Sequence, residues 1–216
     1  ETIRGLPHRQ EALMTDDYQQ RTLLDVLAHR LETDPDGPYL DFEGVQVTAR
    51  EVDEAAGRLA HALASLGVGR GDRVATLLDN RPEQVESFFG TLKLGAIHQP
   101  VNTAYRGEFL RHQLVDAGVK VIIVQGDLAS RIQQVAGAET PELEAVIVLG
   151  EPDEPITGVP CHDWEALLVN TSAEPAPDPG VEPWDLACFI YTSGTTGPSK
   201  GCMLPHNYLV TLADQI

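Results

Sequence analysis

The densest chemistry in this sequence is the run Thr192-Ser193-Gly194-Thr195-Thr196-Gly197-Pro198-Ser199-Lys200-Gly201, with five hydroxyls, three glycines and one lysine in ten residues. Glycines let the backbone turn tightly and bring N–H groups close to an anion. The hydroxyls add neutral donors, and Lys200 adds a compact charge. A hydrogen bond to a charged group contributes roughly 1.5–3 kcal/mol, so a few of these can hold a polyphosphate. The bland alternative is a Ser/Thr/Gly surface loop, but flexible linkers seldom follow a buried strand directly or carry a single placed lysine.

Three better-known motifs fail on spacing. A Walker loop needs a second glycine where Ser199 stands, and Gly201 follows the lysine. A serine-hydrolase elbow around Ser193 needs glycines at Tyr191 and Thr195. Gly67-Val68-Gly69-Arg70-Gly71 mimics a dinucleotide fingerprint but precedes a strand instead of following one. That stretch reads as a helix C-cap and turn.

The loop needs elements to position it, and the chain supplies them in alternation. Thr48 with Glu51 makes a capping-box signature, and Val52, Ala55, Ala56, Leu59, Ala60 and Leu63 follow at helical spacing. Residues 73–78 read as a strand. Pro82 opens the next helix, whose buried stripe is Val85, Phe88, Phe89 and Leu92. Strands are expected at 97–101, 119–124 and 145–149, helices at 107–117 and, more weakly, through Leu128, Ile132 and Val135. The run 119–124 is almost continuously apolar, as in a strand covered on both faces. Strands alternating with helices indicate βαβ units, hence an α/β fold with a mostly parallel sheet flanked by helices on both faces. Earlier, a helix over 23–31, a turn at Asp34-Pro35-Asp36-Gly37 and a strand near 39–42 are expected.

Residues 171–183 hold four prolines and one glycine and read as a surface connection. The domain reading is therefore an α/β subdomain over 1–170, the Pro-rich connection over 171–183, and a last unit over 184–216. That unit has a strand at 186–191, the loop, and a helix starting around 205–207. The sequence stops barely into that helix, which reads as a cut.

Composition narrows the class. The chain has 216 residues, 42% hydrophobic and 22% charged, an ordinary globular composition. With 15 Lys+Arg against 33 Asp+Glu the formal net charge is −18, which argues against nucleic acid or an anionic membrane as main partner. It does not exclude a small anion, because screening at physiological salt acts over about 8 Å. No apolar run is long enough to span a membrane, and no secretory segment opens the sequence. Cys161, Cys188 and Cys202 are odd in number and lack C-x-x-C spacing, which fits a reducing cytoplasm and not a disulfide or zinc framework.

Other polar residues read as structural. Cys161-His162-Asp163 cannot converge on one point from adjacent positions, and Asp163 is expected to cap the short helix carrying Trp164, Leu167 and Leu168. His206, at a helix start, reads as a local tie; His61 and His112 read as half-exposed helix residues, and Cys188 as a small core residue.

The segment from Tyr191 to Gly201 resembles the phosphate-loop signature of the adenylate-forming superfamily, the AMP-dependent synthetases and ligases, and the likeness extends through His206-Asn207. Its members include acyl-CoA synthetases, non-ribosomal-peptide adenylation domains and luciferases. Pro198-Ser199 departs from the x-Pro that many members carry before the lysine. A second segment is similar to acyl-CoA synthetases, particularly their crotonobetaine/carnitine–CoA ligase-like branch. It runs from Asn80-Arg81-Pro82-Glu83 through Gly95-Ala96 to Pro100-Val101-Asn102-Thr103-Ala104-Tyr105-Arg106-Gly107-Glu108-Phe109-Leu110.

The resemblance implies an incomplete N-terminal domain of that fold and a two-step reaction. A carboxylate attacks the α-phosphorus of Mg-ATP to give an acyl-adenylate and pyrophosphate, and a thiol, usually that of coenzyme A, then takes the acyl group. It implies that Thr192, Ser193, Gly194, Thr195, Thr196, Gly197, Pro198, Ser199 and Lys200 hold the triphosphate, with Thr192 also near Mg2+, and that none of them is a catalytic acid, base or nucleophile. The implied ligands are ATP, Mg2+, coenzyme A and a small-molecule carboxylate; the implied setting is cytoplasmic fatty acid metabolism. The family's adenine and ribose segments, hinge and distal lysine do not occur here, so this stretch alone is expected to be inactive, with exposed apolar surface that favours a homodimer. Two rival readings are a non-catalytic nucleotide- or pyrophosphate-binding module and an adenylation domain loading a carrier protein.

Overall fold

Two threonines open helices by the same device. In the computed structural model, which describes residues 20–169, 171, 178–192 and 199–213, Thr22 caps helix α1 (Leu23–Thr33) through a reciprocal pair with Asp25. After the hairpin of β1 (Pro38–Phe42) and β2 (Val45–Thr48), Thr48 and Glu51 do the same for α2 (Ala49–Ser65), as the capping box predicts. Beyond α2 the N–H of Gly67 bonds the carbonyl of Ala64 and that of Val68 bonds Leu63. Gly67 has φ 81°, the left-handed turn that such a helix end requires and that glycine adopts freely.

The alternation then runs β3 (Arg73–Leu77), α3 (Pro82–Leu92), β4 (Ile97–Pro100), α4 (Gly107–Asp116), β5 (Val119–Gln125), α5 (Ala129–Gln133) and β6 (Ala145–Leu149). It closes with β7 (Cys161–Asp163), α6 (Trp164–Val169), β8 (Leu186–Thr192), β9 (Lys200–Pro205) and α7 (His206–Ala213). Seven strands make one sheet in the order β7-β6-β5-β3-β4-β8-β9. All neighbours are parallel except β8 with β9.

Successive strand residues face opposite sides, and the sheet buries both. Val74, Val121, Ile123 and Ile147 pack with Leu59 and Leu63 of α2 and Trp164 of α6. Ala75, Leu77, Ile122 and Val124 pack with Leu110 and Leu114 of α4 and Ile132 of α5. Ile122 and Ile123 are both fully buried, on opposite faces; burying each contributes about 1.5–3 kcal/mol. A third cluster joins Leu27 of α1, Val52 and Ala56 of α2 and Phe89 of α3. The doubly covered parallel sheet is the architecture that the sequence pattern predicts.

The sequence pattern does not predict three of the strands, β2, β7 and β9. None carries a burial signature: β7 is three residues long, and the first four residues of β9 are exposed. They are strands because an edge offers them backbone partners, which apolar periodicity cannot reveal.

Candidate functional site

Strand β3 leads through α3 to β4 on one side, and β4 then crosses over to β5 on the other side of β3. Where successive connections diverge, the loops leaving the carboxyl ends of the strands open a crevice, the usual ligand position in such sheets. Side chains from the ends of β3, β4 and β5 meet at this edge. The Asp79 carboxylate accepts from Gln125 Nε2 at 2.9 Å and from Thr103 Oγ1 at 2.8 Å, while Gln125 Oε1 accepts the Asp79 N–H at 2.6 Å. The bonds from Gln125 and Thr103 hold the Asp79 carboxyl below the usual carboxylate range. The Asn80 and Asn102 segments, far apart in sequence, thereby line one open cleft of about 740 Å³, with Gln84 and the β1–β2 turn at Glu43.

Strand β8 runs parallel to β4, with Cys188 beside His98, so its carboxyl end opens at the same edge. There β8 turns back into β9, with Thr192 opposite Lys200 as the last register pair. Of the candidate site residues, Thr192 and Lys200 are exposed at the two strand ends and Ser199 is half-buried. Ser193, Gly194, Thr195, Thr196, Gly197 and Pro198 lie outside the described residues. The hairpin thus presents the Lys200 ammonium and the Thr192 hydroxyl at the base of the hydroxyl-rich connection.

The connection is held at its returning end by α4. The Ser199 carbonyl accepts from His112 Nε2 at 2.9 Å, and Gln113 Nε2 lies 3.4 Å from Ser199 Oγ. His112 is half-exposed, as its helical position implies, but it also reaches the loop, a role the sequence did not disclose. A visible clue lay in strand β4, where His98 and Gln99 interrupt an apolar run. Both are buried; Gln99 Nε2 reaches the Gln113 carbonyl at 3.3 Å, and His98 Nε2 stands 3.4 Å from Thr76 Oγ1 and from Gln84 Nε2. Burial pushes His98 down to about 3, so its imidazole is neutral.

The residues read as structural behave so. Cys161, His162 and Asp163 form β7, and Asp163 Oδ1 accepts the Ala166 N–H at 2.8 Å, capping α6. His206 is buried and its Nδ1 accepts the Leu23 N–H at 3.2 Å, tying α7 to α1; burial lowers its pKa. Burial pushes the Cys188 thiol up to about 12. Among the described residues no helix is long and apolar enough to cross a membrane.

Comparison with known proteins decides the family. Residues 27–216 match the family of AMP-binding enzymes. The chain belongs to that family. Phosphinothricin tripeptide synthetase PhsC of Streptomyces viridochromogenes is 34% identical over 97% of the chain and 18% of that protein. The 3-hydroxybenzoate–CoA ligase of Aromatoleum sp. is 33% identical over 84% of the chain and 33% of that protein. Among solved structures, the anthranilate CoA ligase AuaEII, in complex with anthranoyl-AMP, superposes with a TM-score of 0.77 at 28% identity, over 88% of this chain and 35% of that one. The chain therefore spans between about a sixth and a third of these AMP-binding enzymes. Within the family the sheet, its two helical layers and the β8–β9 hairpin form part of the N-terminal domain.

Proposed function

We propose that this chain supplies the triphosphate-holding part of an AMP-forming acid–thiol ligase, which activates a carboxylate as its acyl-adenylate and transfers it to coenzyme A. The observation that carries the reading is the hairpin bounded by Thr192 and Lys200, opening at the carboxyl edge of the parallel sheet beside its switch point. Attack at the α-phosphorus releases pyrophosphate, so negative charge grows on the β- and γ-phosphates as the bond breaks. The Lys200 ammonium, the loop hydroxyls and the backbone N–H groups from Ser193 through Gly197 stabilise that charge without taking or giving a proton. Pro198 has no N–H to offer.

Among the described residues no group of three His, Cys, Asp or Glu side chains could hold a metal. The Thr192 hydroxyl is a hard oxygen donor that fits Mg2+ beside the phosphate oxygens themselves. When bound, the ion neutralises charge on those oxygens.

A second acceptor is favoured by a specific observation: a peptide synthetase is 34% identical over nearly the whole chain, which supports transfer to a carrier protein. The test uses the full-length protein with MgATP and a panel of fatty, aryl and amino acids. Hydroxylamine traps an acyl-adenylate as hydroxamate, and free coenzyme A thiol is followed in parallel. Hydroxamate with loss of thiol is the expected result. Hydroxamate without it transfers the assignment to a carrier-protein acceptor, and pyrophosphate binding without any hydroxamate leaves only a binding module.

A further inference from the structure

We infer that helix α4 acts as a clamp on the base of the β8–β9 hairpin and so positions the loop for pyrophosphate. This rests on the reading that the loop holds the triphosphate.

Both strands of the hairpin are gripped, and by one helix. On the outgoing strand, the Tyr191 hydroxyl donates to Asp116 Oδ2 at 2.7 Å, and the ring meets His112 edge-on, with centroids 6.5 Å apart at 85°. On the returning strand, His112 Nε2 donates to the Ser199 carbonyl at 2.9 Å, with Gln113 beside the same residue's hydroxyl. His112 and Asp116 are one helical turn apart and share a face. Gln113 is itself buried and is tied to β4 through Gln99, so the helix end that grips the loop is anchored in the sheet.

Gly201 gives the ring room for this grip. It pairs with Tyr191 across the hairpin, and a Cβ there would lie 3.1 Å from Tyr191 Cζ and 3.3 Å from its hydroxyl oxygen. Without that atom the ring lies across the glycine and reaches Asp116. The glycine after the lysine thus serves the tyrosine before the loop, and the two residues fix Thr192 and Lys200 between them.

With Thr192, Ser199 and Lys200 already held in place, less ordering of these groups remains to be done on binding, so the clamp raises affinity without touching the ligand. Tyr191, His112 and Asp116 are positioning residues: they act through Ser199, Lys200 and Thr192.

The test is calorimetric binding of Mg-pyrophosphate to the full-length protein, with an unfolding midpoint for every variant. Tyr191→Phe and His112→Ala are each expected to weaken binding about three- to tenfold, with the midpoint lowered by no more than a few degrees, since each removes one hydrogen bond from the folded protein. His112→Gln, which returns an amide N–H toward the Ser199 carbonyl, is expected to restore most of the affinity. Gly201→Ala provides a second route to the same loss should His112→Ala fold poorly. Variants that shift the midpoint and leave affinity unchanged reduce the contacts to a structural role and overturn the clamp. Lys200→Ala separates the two ideas. If it loses binding while Tyr191→Phe and His112→Ala bind as the wild type does, the clamp alone is wrong. If it too binds normally, the reading of the loop is wrong, and the clamp falls with it.

Discussion

Glu86 shows how a single side chain reports the cost of its surroundings. It stands on α3 in an open cavity of about 490 Å³ shared with Arg58 of α2 and Glu165 of α6. Burial, and then the neighbouring Glu83, push its carboxyl up to about 7, with Arg58 opposing. In the unfolded chain the same group ionises near about 4.3. Below both values it is protonated in either state and costs nothing. As pH rises between them the folded state keeps a proton that the unfolded state has lost, so stability falls; above the folded value the loss is constant. Glu86→Gln removes that penalty. Paired thermal melts should show no gain near about pH 4 and a full gain near about pH 8; equal gains at both would contradict the assignment. Residues such as this one, and His112 or Gln125, were illegible in the sequence because their partners lie on other elements. The expectation for Thr192 and Lys200, by contrast, rests on their own neighbours in the sequence.

At the scale of elements, what could be read were the pieces with their own local chemistry. The capping box at Thr48, the proline that opens α3 and the apolar run of β5 each carry a signal within a few residues. Strands β2, β7 and β9 carry none, and β9 matters most, since it turns the loop from a strand–helix connection into a hairpin. Packing between helices was equally hidden. A Cβ on Gly90 of α3 would come within 3.0 Å of Leu59 Cδ2 and 3.1 Å of the Ala56 carbonyl on α2. That glycine sets the distance at which the two helices pack. Gly90→Val should therefore cost about 1–3 kcal/mol through overpacking, read as a lower urea midpoint at unchanged slope. An unchanged midpoint would mean that the α2–α3 contact yields more easily than its geometry suggests.

For the molecule as a whole, the fold and the charge point in different directions, and the site resolves them. A formal charge of −18 opposes any polyanion at long range, yet the hairpin places a lysine where screening leaves only near neighbours to matter. Trp184, Met203 and Tyr208 expose 63%, 66% and 51% of their surface around β8, β9 and α7, apolar area of the kind that interfaces use. The central claim concerns the loop. Its most direct test is carboxylate-dependent ATP–pyrophosphate exchange by the full-length protein, comparing the wild type with Lys200→Ala alongside their unfolding midpoints. The loop's proposed role predicts that exchange falls by about a hundred- to a thousandfold, with the midpoint unmoved. Exchange at the wild-type rate in a normally folded Lys200→Ala protein would contradict it.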